Sequence, residues 1–292
     1  MNLSQPQFVD TSRGRFAWRE GGQADGSPLV MLHGWPESSY CWEHLAGYLR
    51  PGLRIIAPDL RGLGDSERTA GLAHYLKVEL AGDVVAALDA LGVGDFQLVG
   101  HDWGGCVAQE VALALPLRVR RLILMNIAVI NNVEGNREVA RAMRESGGAQ
   151  YWYQHFQQAP GLAEAMIPGA EEVWLRYFLR TSSGSEFPAD AIEEYVRCYR
   201  IEGTPGSGAN YYRAFRADAK RWATLAGHRW SMPSLYIYGN KDPVIIPEYL
   251  NHIDECFRDL QVIQVEAGHF LQEELPAEVA AHMNGFLRIT DH

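Results

Sequence analysis

The sequence contains few cysteines, and none of them lies in a pattern that binds a metal. Cys41, Cys106, Cys198 and Cys256 are widely scattered, with no CxxC pair and no Cys/His cluster, and no HExxH motif occurs. Cysteines spaced in this way are typical of reduced thiols in a cytoplasmic protein. We therefore expect neither a disulfide framework nor a bound metal.

Long apolar runs are also missing. The longest, residues 122–130, is interrupted by Asn126, whereas a membrane-spanning helix needs about 18 apolar residues. The first ten residues, MNLSQPQFVD, have neither the charged start nor the apolar core of a signal peptide. The expected location is the cytoplasm, without a membrane partner.

Positive charge is scarce. The chain has 26 Lys and Arg against 36 Asp and Glu, a net charge of −10, so nucleic acid and anionic membrane surfaces would repel it. Of its 292 residues, 47% are hydrophobic and 21% are charged, which is ordinary for a folded globular protein and excludes a disordered chain. The sequence leaves open whether the chain forms a homo-oligomer.

Short apolar runs alternate with helical patterns on both sides of a different middle region. The runs are PLVMLH (28–33), LRIIAP (53–58), FQLVGH (96–101), RLILMNI (121–127), SLYIYG (234–239) and LQVIQV (260–265), after two opening strands at 8–10 and 15–20. Each of the six has the length of a buried parallel strand. Apolar residues at 76, 80, 84, 88 and 91, followed by Gly92, predict an intervening helix. The alternation predicts an α/β fold with a mostly parallel sheet and helices on both faces.

The middle region, residues 131–222, has a different composition. Strings such as QYWYQHFQQ, EEVWLRYFLR and IEEYVRCYR are rich in aromatic and charged residues, and no strand-like run occurs among them. Two polar stretches, SSGSEFP (182–188) and EGTPGSGAN (202–210), divide the region and are expected to be loops. This composition predicts a helical cap at 131–222, inserted into a discontinuous core of residues 1–130 and 223–292.

The strongest motif is GHDWGG at residues 100–105, where G-x-D-x-G follows an apolar run and precedes a helical pattern. On such a strand–turn–helix corner the central side chain is forced out at the top of the sheet, and small neighbours are needed in so tight a turn. Asp102 occupies the place where a nucleophilic Ser is usual, and the following helix N-terminus would favour its negative charge. The alternative is a plain glycine-rich turn with a solvated Asp.

Two further segments fit a catalytic role for this turn. HGWP at 33–36 follows a strand, so the backbone N–H of Trp35, together with that of Trp103, could form an oxyanion hole. Asp242 follows SLYIYG in the string YGNKDP, and His269 follows LQVIQV in AGHF. The chain order is then nucleophile, acid and base.

Taken in order, the motifs HGWPES, PDLRGLGDSE, GHDWGG, YGNKDP and AGHF resemble those of the α/β-hydrolase superfamily over nearly the whole chain. The Asp at the turn resembles the branch of epoxide hydrolases and haloalkane or haloacid dehalogenases, closest to the soluble epoxide hydrolases. This resemblance implies an α/β-hydrolase fold and a small-molecule substrate, an epoxide or an organohalide. It implies that Asp102 forms an alkyl ester with an sp³ carbon, which water activated by His269 and Asp242 then hydrolyses, with no metal and no cofactor.

The acid of the triad has two positions in the family. Some members carry it after the preceding strand, and in this sequence that position is Asn126, which cannot carry a charge. The acid is therefore assigned to Asp242. Asp59 and Asp65 are expected to shape the PDLRGLGDS loop through turn hydrogen bonds.

Two tyrosines of the predicted cap are candidates for opening an epoxide ring. YQHFQQAPGLAEA resembles the first cap segment of epoxide hydrolases and implies Tyr153, and GANYYR resembles the segment that carries the second tyrosine and implies Tyr212. Two phenols facing the nucleophile would bind and protonate the epoxide oxygen. Tyr151 and Tyr211 are the alternatives if the match is displaced by one or two residues.

A dehalogenase and a binding protein remain alternatives. The indole N–H of Trp152 could hold a halide, and Trp35 and Trp103 are further predicted substrate contacts. No arginine stands beside Asp102 to bind a haloacid carboxylate, which disfavours that substrate. Some proteins of this fold have lost a catalytic residue and only bind ligands, whereas all three triad positions here hold competent residues.

Overall fold

The computed structural model describes residues 2–289, so the predicted core's outermost positions, residue 1 and residues 290–292, lie outside it. Eight strands form one sheet: β1 (Gln7–Thr11), β2 (Gly14–Gly22), β3 (Ser27–Leu32), β4 (Leu53–Pro58), β5 (Phe96–His101), β6 (Val119–Met125), β7 (Ser234–Gly239) and β8 (Leu260–Val265). Their order is β1-β2-β4-β3-β5-β6-β7-β8. The strands β3 to β8 pair in parallel, and β2 pairs antiparallel with both β1 and β4. The predicted α/β fold is confirmed.

Four of the predicted strands have the observed bounds, and β6 differs most. It ends at Met125, two residues before the predicted end. The reason is that Asn126 has a φ of +40°, outside the extended region, so the chain turns there. The apolar run continues past the strand because Ile127 is buried below the turn.

Within residues 2–289 there are twelve α-helices: α1 (Glu43–Ala46), α2 (Lys77–Ala90), α3 (Trp103–Ala114), α4 (Val133–Glu145), α5 (Trp152–Gln158), α6 (Leu162–Met166), α7 (Glu171–Ser182), α8 (Ala189–Tyr199), α9 (Thr204–Arg213), α10 (Phe215–Trp222), α11 (Leu271–Glu274) and α12 (Pro276–Phe286). The helix predicted from the 76–91 periodicity is α2, and Gly92 follows it with a φ of +65°. Helices α4 to α10 all lie between β6 and β7, and we call residues 133–222 the inserted segment.

The prediction of a loop at 202–210 is wrong, because most of this stretch forms α9. Pro205 lies in the first turn, where a helix tolerates proline because its missing N–H would have no partner there. The glycines serve close packing. A Cβ at Gly206 would lie 2.9 Å from Cγ of Glu164, and one at Gly208 would lie 2.8 Å from Nε1 of Trp35. Small residues that look like a flexible linker in the sequence thus let a helix approach its neighbours.

Ion pairs join the inserted segment to the core. Arg197 of α8 binds both carboxylate oxygens of Asp65, at 2.9 and 2.7 Å, and Arg19 of β2 binds Glu194 at 2.8 Å. Asp65, Glu194 and Cys198 lie close enough together to ligate a metal, but the two arginines already neutralise both carboxylates.

All four cysteines are buried and unpaired. Among residues 2–289, no helix combines the length and the apolar character needed to span a membrane.

Candidate active site

Asp102 lies in the turn between β5 and α3, in a conformation that few side chains adopt. Its φ is +48° and its ψ is −131°, which costs about 1–3 kcal/mol for a residue other than glycine. Gly100 and Gly104 leave no space for a side chain at this turn. A Cβ at Gly104 would lie 2.2 Å from the carbonyl oxygen of His33, and a Cβ at Gly100 would lie 2.6 Å from the carbonyl oxygen of Gly104. The glycines flanking the Asp in the sequence are therefore sterically required.

The loop after β3 meets this turn. The N–H of Trp35 donates to Oδ1 of Asp102 at 2.8 Å, and a Cβ at Gly34 would lie only 2.5 Å from Cβ of Asp102. The N–H of Trp103 lies in the first turn of α3, where a helix does not use its own donors. Of the two N–H groups predicted for an oxyanion hole, that of Trp35 binds the carboxylate, and that of Trp103 belongs to the residue directly after Asp102.

His269 joins the two predicted carboxylates. Its Nδ1 lies 2.7 Å from Oδ2 of Asp242, and its Nε2 lies 3.5 Å from Oδ2 of Asp102. The second oxygen of Asp242 accepts the N–H groups of Val244, at 2.7 Å, and Ile245, at 3.1 Å. Because these two donors fix the carboxylate, its other oxygen can only face His269.

Asp102 and His269 each favour the charged form of the other. Burial alone would raise the pKa of Asp102, but the hydrogen bond and charge of His269 outweigh it and lower this pKa below its usual value. Burial opposes the charge on His269 as well, yet Asp242 and Asp102 together raise the pKa of His269 well above its usual value. The directions of these two pKa shifts favour an ionised Asp102 beside an imidazolium of His269.

Asn126, which occupies the alternative family position for the acid, holds three backbone groups by hydrogen bonds. Its Nδ2 donates to the carbonyl oxygens of Gly268, at 2.9 Å, and His269, at 3.0 Å, and its Oδ1 accepts the N–H of Gly239 at 2.8 Å. It therefore holds the backbone on which the histidine is mounted.

His101 supports the same backbone from below the turn. Its Nε2 lies 2.8 Å from the carbonyl oxygen of His269, and its Nδ1 lies 2.9 Å from the buried carboxylate of Glu37. Glu37 and the His269 carbonyl thus engage both ring nitrogens of His101. Glu37 was missed, although it belongs to the HGWPE string.

The two predicted tyrosines, Tyr153 and Tyr212, line a cavity of about 440 Å³ that also contains Asp102. The rest of its wall is largely apolar and includes Trp103, Cys106, Ile127, Ile130, Val133, Val139, Met143, Phe215, Trp222, Val244, Ile245 and Tyr249. Burial raises the pKa of both tyrosines well above its usual value, so both stay protonated donors. In contrast, Tyr151 donates to the carbonyl of Val244 and Tyr211 to that of Arg61.

Two of the tryptophans predicted to contact the substrate, Trp35 and Trp152, are not among the residues that line this cavity. Trp152 is 39% exposed, and its ring contacts Trp174 and Tyr177, because it follows the outer face of α5 while the next residue, Tyr153, faces inward. The indole of Trp35 is buried behind the tyrosines, stacked on Tyr153 with ring centres 5.8 Å apart. Of the three predicted tryptophans, Trp103 lines the cavity.

A fully buried lysine lies directly behind Trp103. Nζ of Lys77 lies 4.0 Å from the ring centre of Trp103 and 3.1 Å from Oδ2 of Asp218 on α10. Cation–π contact and a buried ion pair together hold this ring in place. No sequence pattern indicates this role, since a lysine near the start of an amphipathic helix is ordinary.

Comparison with known proteins identifies the family. The family model of the α/β hydrolase fold matches residues 27–276. The chain is an α/β hydrolase.

This hydrolase is 28% identical to Epoxide hydrolase A of Mycobacterium tuberculosis over 98% of each chain. It is 31% identical to Epoxide hydrolase 3 of Siraitia grosvenorii, over 90% of this chain and 92% of the relative. Among solved structures, Epoxide Hydrolase A from Mycobacterium thermoresistibile superposes with a TM-score of 0.85 at 25% identity, covering 100% of both chains. The hydrolase thus belongs with the epoxide hydrolases within its superfamily, as the motifs predicted.

Proposed function

We propose that this hydrolase opens epoxides to vicinal diols through an ester on Asp102. The observation that carries the proposal is the meeting of two separate sets of residues in one cavity. Asp102, backed by His269 and Asp242, comes from the core, while the phenols of Tyr153 and Tyr212 come from the inserted segment. The names of the relatives support the same activity.

The first step is attack of the Asp102 carboxylate on an epoxide carbon. The C–O bond of the ring breaks, and the oxygen takes a proton from Tyr153 or Tyr212, which then regains one from solvent. The low pKa of Asp102 keeps the nucleophile ionised. The high pKa of both tyrosines keeps them protonated until the alkoxide, a much stronger base, forms beside them.

Formation of the ester then changes the state of His269. Asp102 is one of the two groups that raise the pKa of His269, and an ester carries no charge. The pKa of His269 therefore falls once the nucleophile is alkylated, so the imidazolium gives up its proton to solvent more easily. The base becomes active at the stage of the cycle that needs it.

The second step is hydrolysis of the ester. Neutral His269 takes a proton from water, and the hydroxide attacks the carbonyl carbon of Asp102. The N–H groups of Trp35 and Trp103 bind the oxyanion, and Asp242 stabilises the imidazolium. Collapse releases the diol, which receives its proton from the carboxyl group, so Asp102 is again a carboxylate beside a protonated His269.

We also propose that residues 131–222 act as a cap over a core of residues 1–130 and 223–292. The inserted segment supplies both tyrosines and one wall of the cavity, whereas the triad comes from loops that follow β5, β7 and β8. The apolar wall favours an apolar epoxide.

One observation keeps a hydrolytic dehalogenase as a second candidate. Nε1 of Trp103 is buried and has no hydrogen-bond partner among the described residues, and an indole N–H beside the nucleophile would suit a departing halide. The same triad would serve this reaction, since a halide needs donors but no proton.

The intact mass of the His269→Gln protein tests both candidates. This variant should form the ester and fail to hydrolyse it, so we expect a stable adduct after exposure to a panel of epoxides. A mass gain equal to the whole epoxide, mapped to Asp102 and absent from a His269→Gln, Asp102→Asn double variant, supports the proposal. A gain equal to the haloalkane minus one hydrogen halide, seen only with a matched haloalkane panel, favours the dehalogenase. Absence of any adduct contradicts both.

A further inference from the structure

Glu274, at the end of α11, accepts three backbone hydrogen bonds around the catalytic histidine. Oε2 of Glu274 accepts the N–H of Gly184 at 2.7 Å and that of Gly268 at 2.9 Å. Its Oε1 accepts the N–H of Phe270 at 3.1 Å. Two of these donors are the residues on either side of His269, and the third belongs to the inserted segment.

The last residue of α7, Ser182, and the two residues after it form what we call the 182–184 turn. This turn lies against residues 267–270, the histidine loop, with no side chain between the two backbones. The N–H of His269 itself donates to the carbonyl oxygen of Ser182 at 2.9 Å. A Cβ at Gly268 would lie 2.3 Å from the backbone nitrogen of Gly184 and 2.8 Å from the carbonyl oxygen of Ser182. This contact accounts for the glycine before His269 and for a glycine in the polar 182–188 stretch.

The backbone groups of the histidine loop divide into two sets by their partners. The carbonyl oxygens of Ala267, Gly268 and His269 are held by the core, through Lys241, Asn126 and His101. The N–H groups of Gly268, His269 and Phe270 are held by Glu274 and by Ser182 of the inserted segment. Without Glu274, the N–H side of the loop would keep one of its three bonds.

We propose that Glu274 is a positioning residue that joins the 182–184 turn to the loop of His269, so that the inserted segment helps to aim the base. The role of His269 as a base rests on the proposed function. Glu274 touches no reacting atom in this scheme. It acts by holding the backbone from which the imidazole reaches Asp242 on one side and Asp102 on the other.

The position of the base matters for one of the two chemical steps. Attack of Asp102 on the substrate depends on the carboxylate and the phenols, whereas hydrolysis of the ester needs His269 aimed at a water. A displacement of about 1 Å can cost about 100-fold in rate when a catalytic group must be aligned. Loss of Glu274 should therefore slow hydrolysis of the ester and leave its formation nearly unchanged.

Three variants test this role. Glu274→Ala removes all three acceptors, and Glu274→Gln keeps an oxygen in the place of Oε2, so the bonds from Gly184 and Gly268 can persist. Glu278→Ala is the matched control, because Glu278 is an exposed glutamate in the next helix, α12. In single-turnover reactions with an epoxide, we expect Glu274→Ala to slow ester hydrolysis about 10- to 100-fold and ester formation less than threefold. The Gln variant should lose less than the Ala variant, and the control should match the wild type.

Two measurements without substrate accompany the kinetics. One is the low-field NMR signal of the Nδ1 proton that His269 shares with Asp242. The other is amide hydrogen exchange at Gly184, Gly268 and Phe270. In Glu274→Ala we expect the signal to broaden or vanish and the three amides to exchange at least tenfold faster.

The kinetics and the measurements without substrate distinguish failure of the positioning role from failure of the proposed activity. An unchanged Nδ1 signal, or equal slowing of both chemical steps in parallel with a lower Tm, would overturn the positioning role. If the wild type forms no ester with any epoxide, the proposed activity fails and the NMR and exchange results still decide the role of Glu274. If Glu274→Ala does not fold, a Glu274→Gln protein with wild-type exchange at Phe270 would count against the proposal.

Discussion

Replacement of Asp242 by Asn should reverse the direction of the hydrogen bond between residue 242 and Nδ1 of His269. One oxygen of Asp242 is fixed by the N–H groups of Val244 and Ile245, so the amide oxygen of Asn must take that place. The amide NH₂ then faces Nδ1 of His269, only 2.7 Å from the replaced oxygen. Nδ1 has to become an acceptor, which puts the ring proton on Nε2, the nitrogen that faces Asp102. A ring in this tautomer cannot accept a proton from water.

The size of the effect follows from this tautomer argument. The equivalent Asp→Asn change in a Ser-His-Asp triad, which leaves geometry intact and traps the wrong tautomer, lowers kcat about 10⁴-fold. That factor corresponds to about 5 kcal/mol of lost transition-state stabilisation. Here the loss should fall on hydrolysis of the ester, because Asp102 remains free to attack. We expect Asp242→Asn to accumulate the alkyl-enzyme with every epoxide that the wild type turns over.

Stopped-flow and quenched-flow mixing, with the ester detected by intact mass, would measure both steps. The exposed Asp254 provides a control, since Asp254→Asn makes the same chemical change away from the site. Turnover of Asp242→Asn within tenfold of the wild type would refute the reasoning, and so would equal slowing of ester formation. Adding Asn126→Asp should not restore activity, because it replaces a donor that faces two carbonyl oxygens with an acceptor.

Other expected outcomes concern the cavity, the turn and the charges. Changing both Tyr153 and Tyr212 to Phe should slow ester formation from epoxides at least 100-fold, and single-turnover rates with haloalkanes should change far less; equal losses would contradict the assignment. Gly34→Ala should abolish activity because the added Cβ would clash with Asp102. Gly285→Ala is the control, because a Cβ there would meet open space on α12. This variant should retain activity, and its free energy of unfolding in denaturant should rise by up to about 1 kcal/mol. Replacing His269 by Gln should lower the free energy of unfolding mainly between pH 3.8 and pH 6.5. These limits are the usual pKa values of an Asp and a His side chain. The raised pKa of His269 stabilises the fold fully below 6.5, so the loss should shrink as the pH rises through that raised pKa; a loss independent of pH would be contrary evidence.

The turn of Asp102 could be predicted from the sequence because steric limits leave few choices there. A residue with positive φ between a buried strand and a helix demands small neighbours, and GHDWGG shows them. The parallel strands were equally predictable, since burial on both faces leaves continuous apolar runs. These features depend on residues close together in the chain.

Features that depend on helix rotation or on distant contacts could not be predicted in this way. Successive helical residues point about 100° apart, so the composition of α5 cannot show that Tyr153 faces the cavity and Trp152 faces solvent. Asp218, which binds Lys77, lies 141 residues from it along the chain, and Gly184, one of the three partners of Glu274, lies 90 residues away. The glycines of α9 resemble those of a linker until the helix that they pack against is known.

The strands β6 and β7 pair directly with each other, although the whole inserted segment separates them in the chain. The segment therefore leaves and re-enters the sheet at neighbouring points, and no strand pairing depends on its length or sequence. An exchange of this segment between homologues, by recombination or in the laboratory, would replace the two phenols and one wall of the cavity while keeping the nucleophile, the base and the sheet. If Glu274 has the positioning role that we propose, such grafts must also present a backbone turn to its carboxylate, or His269 will lose its alignment.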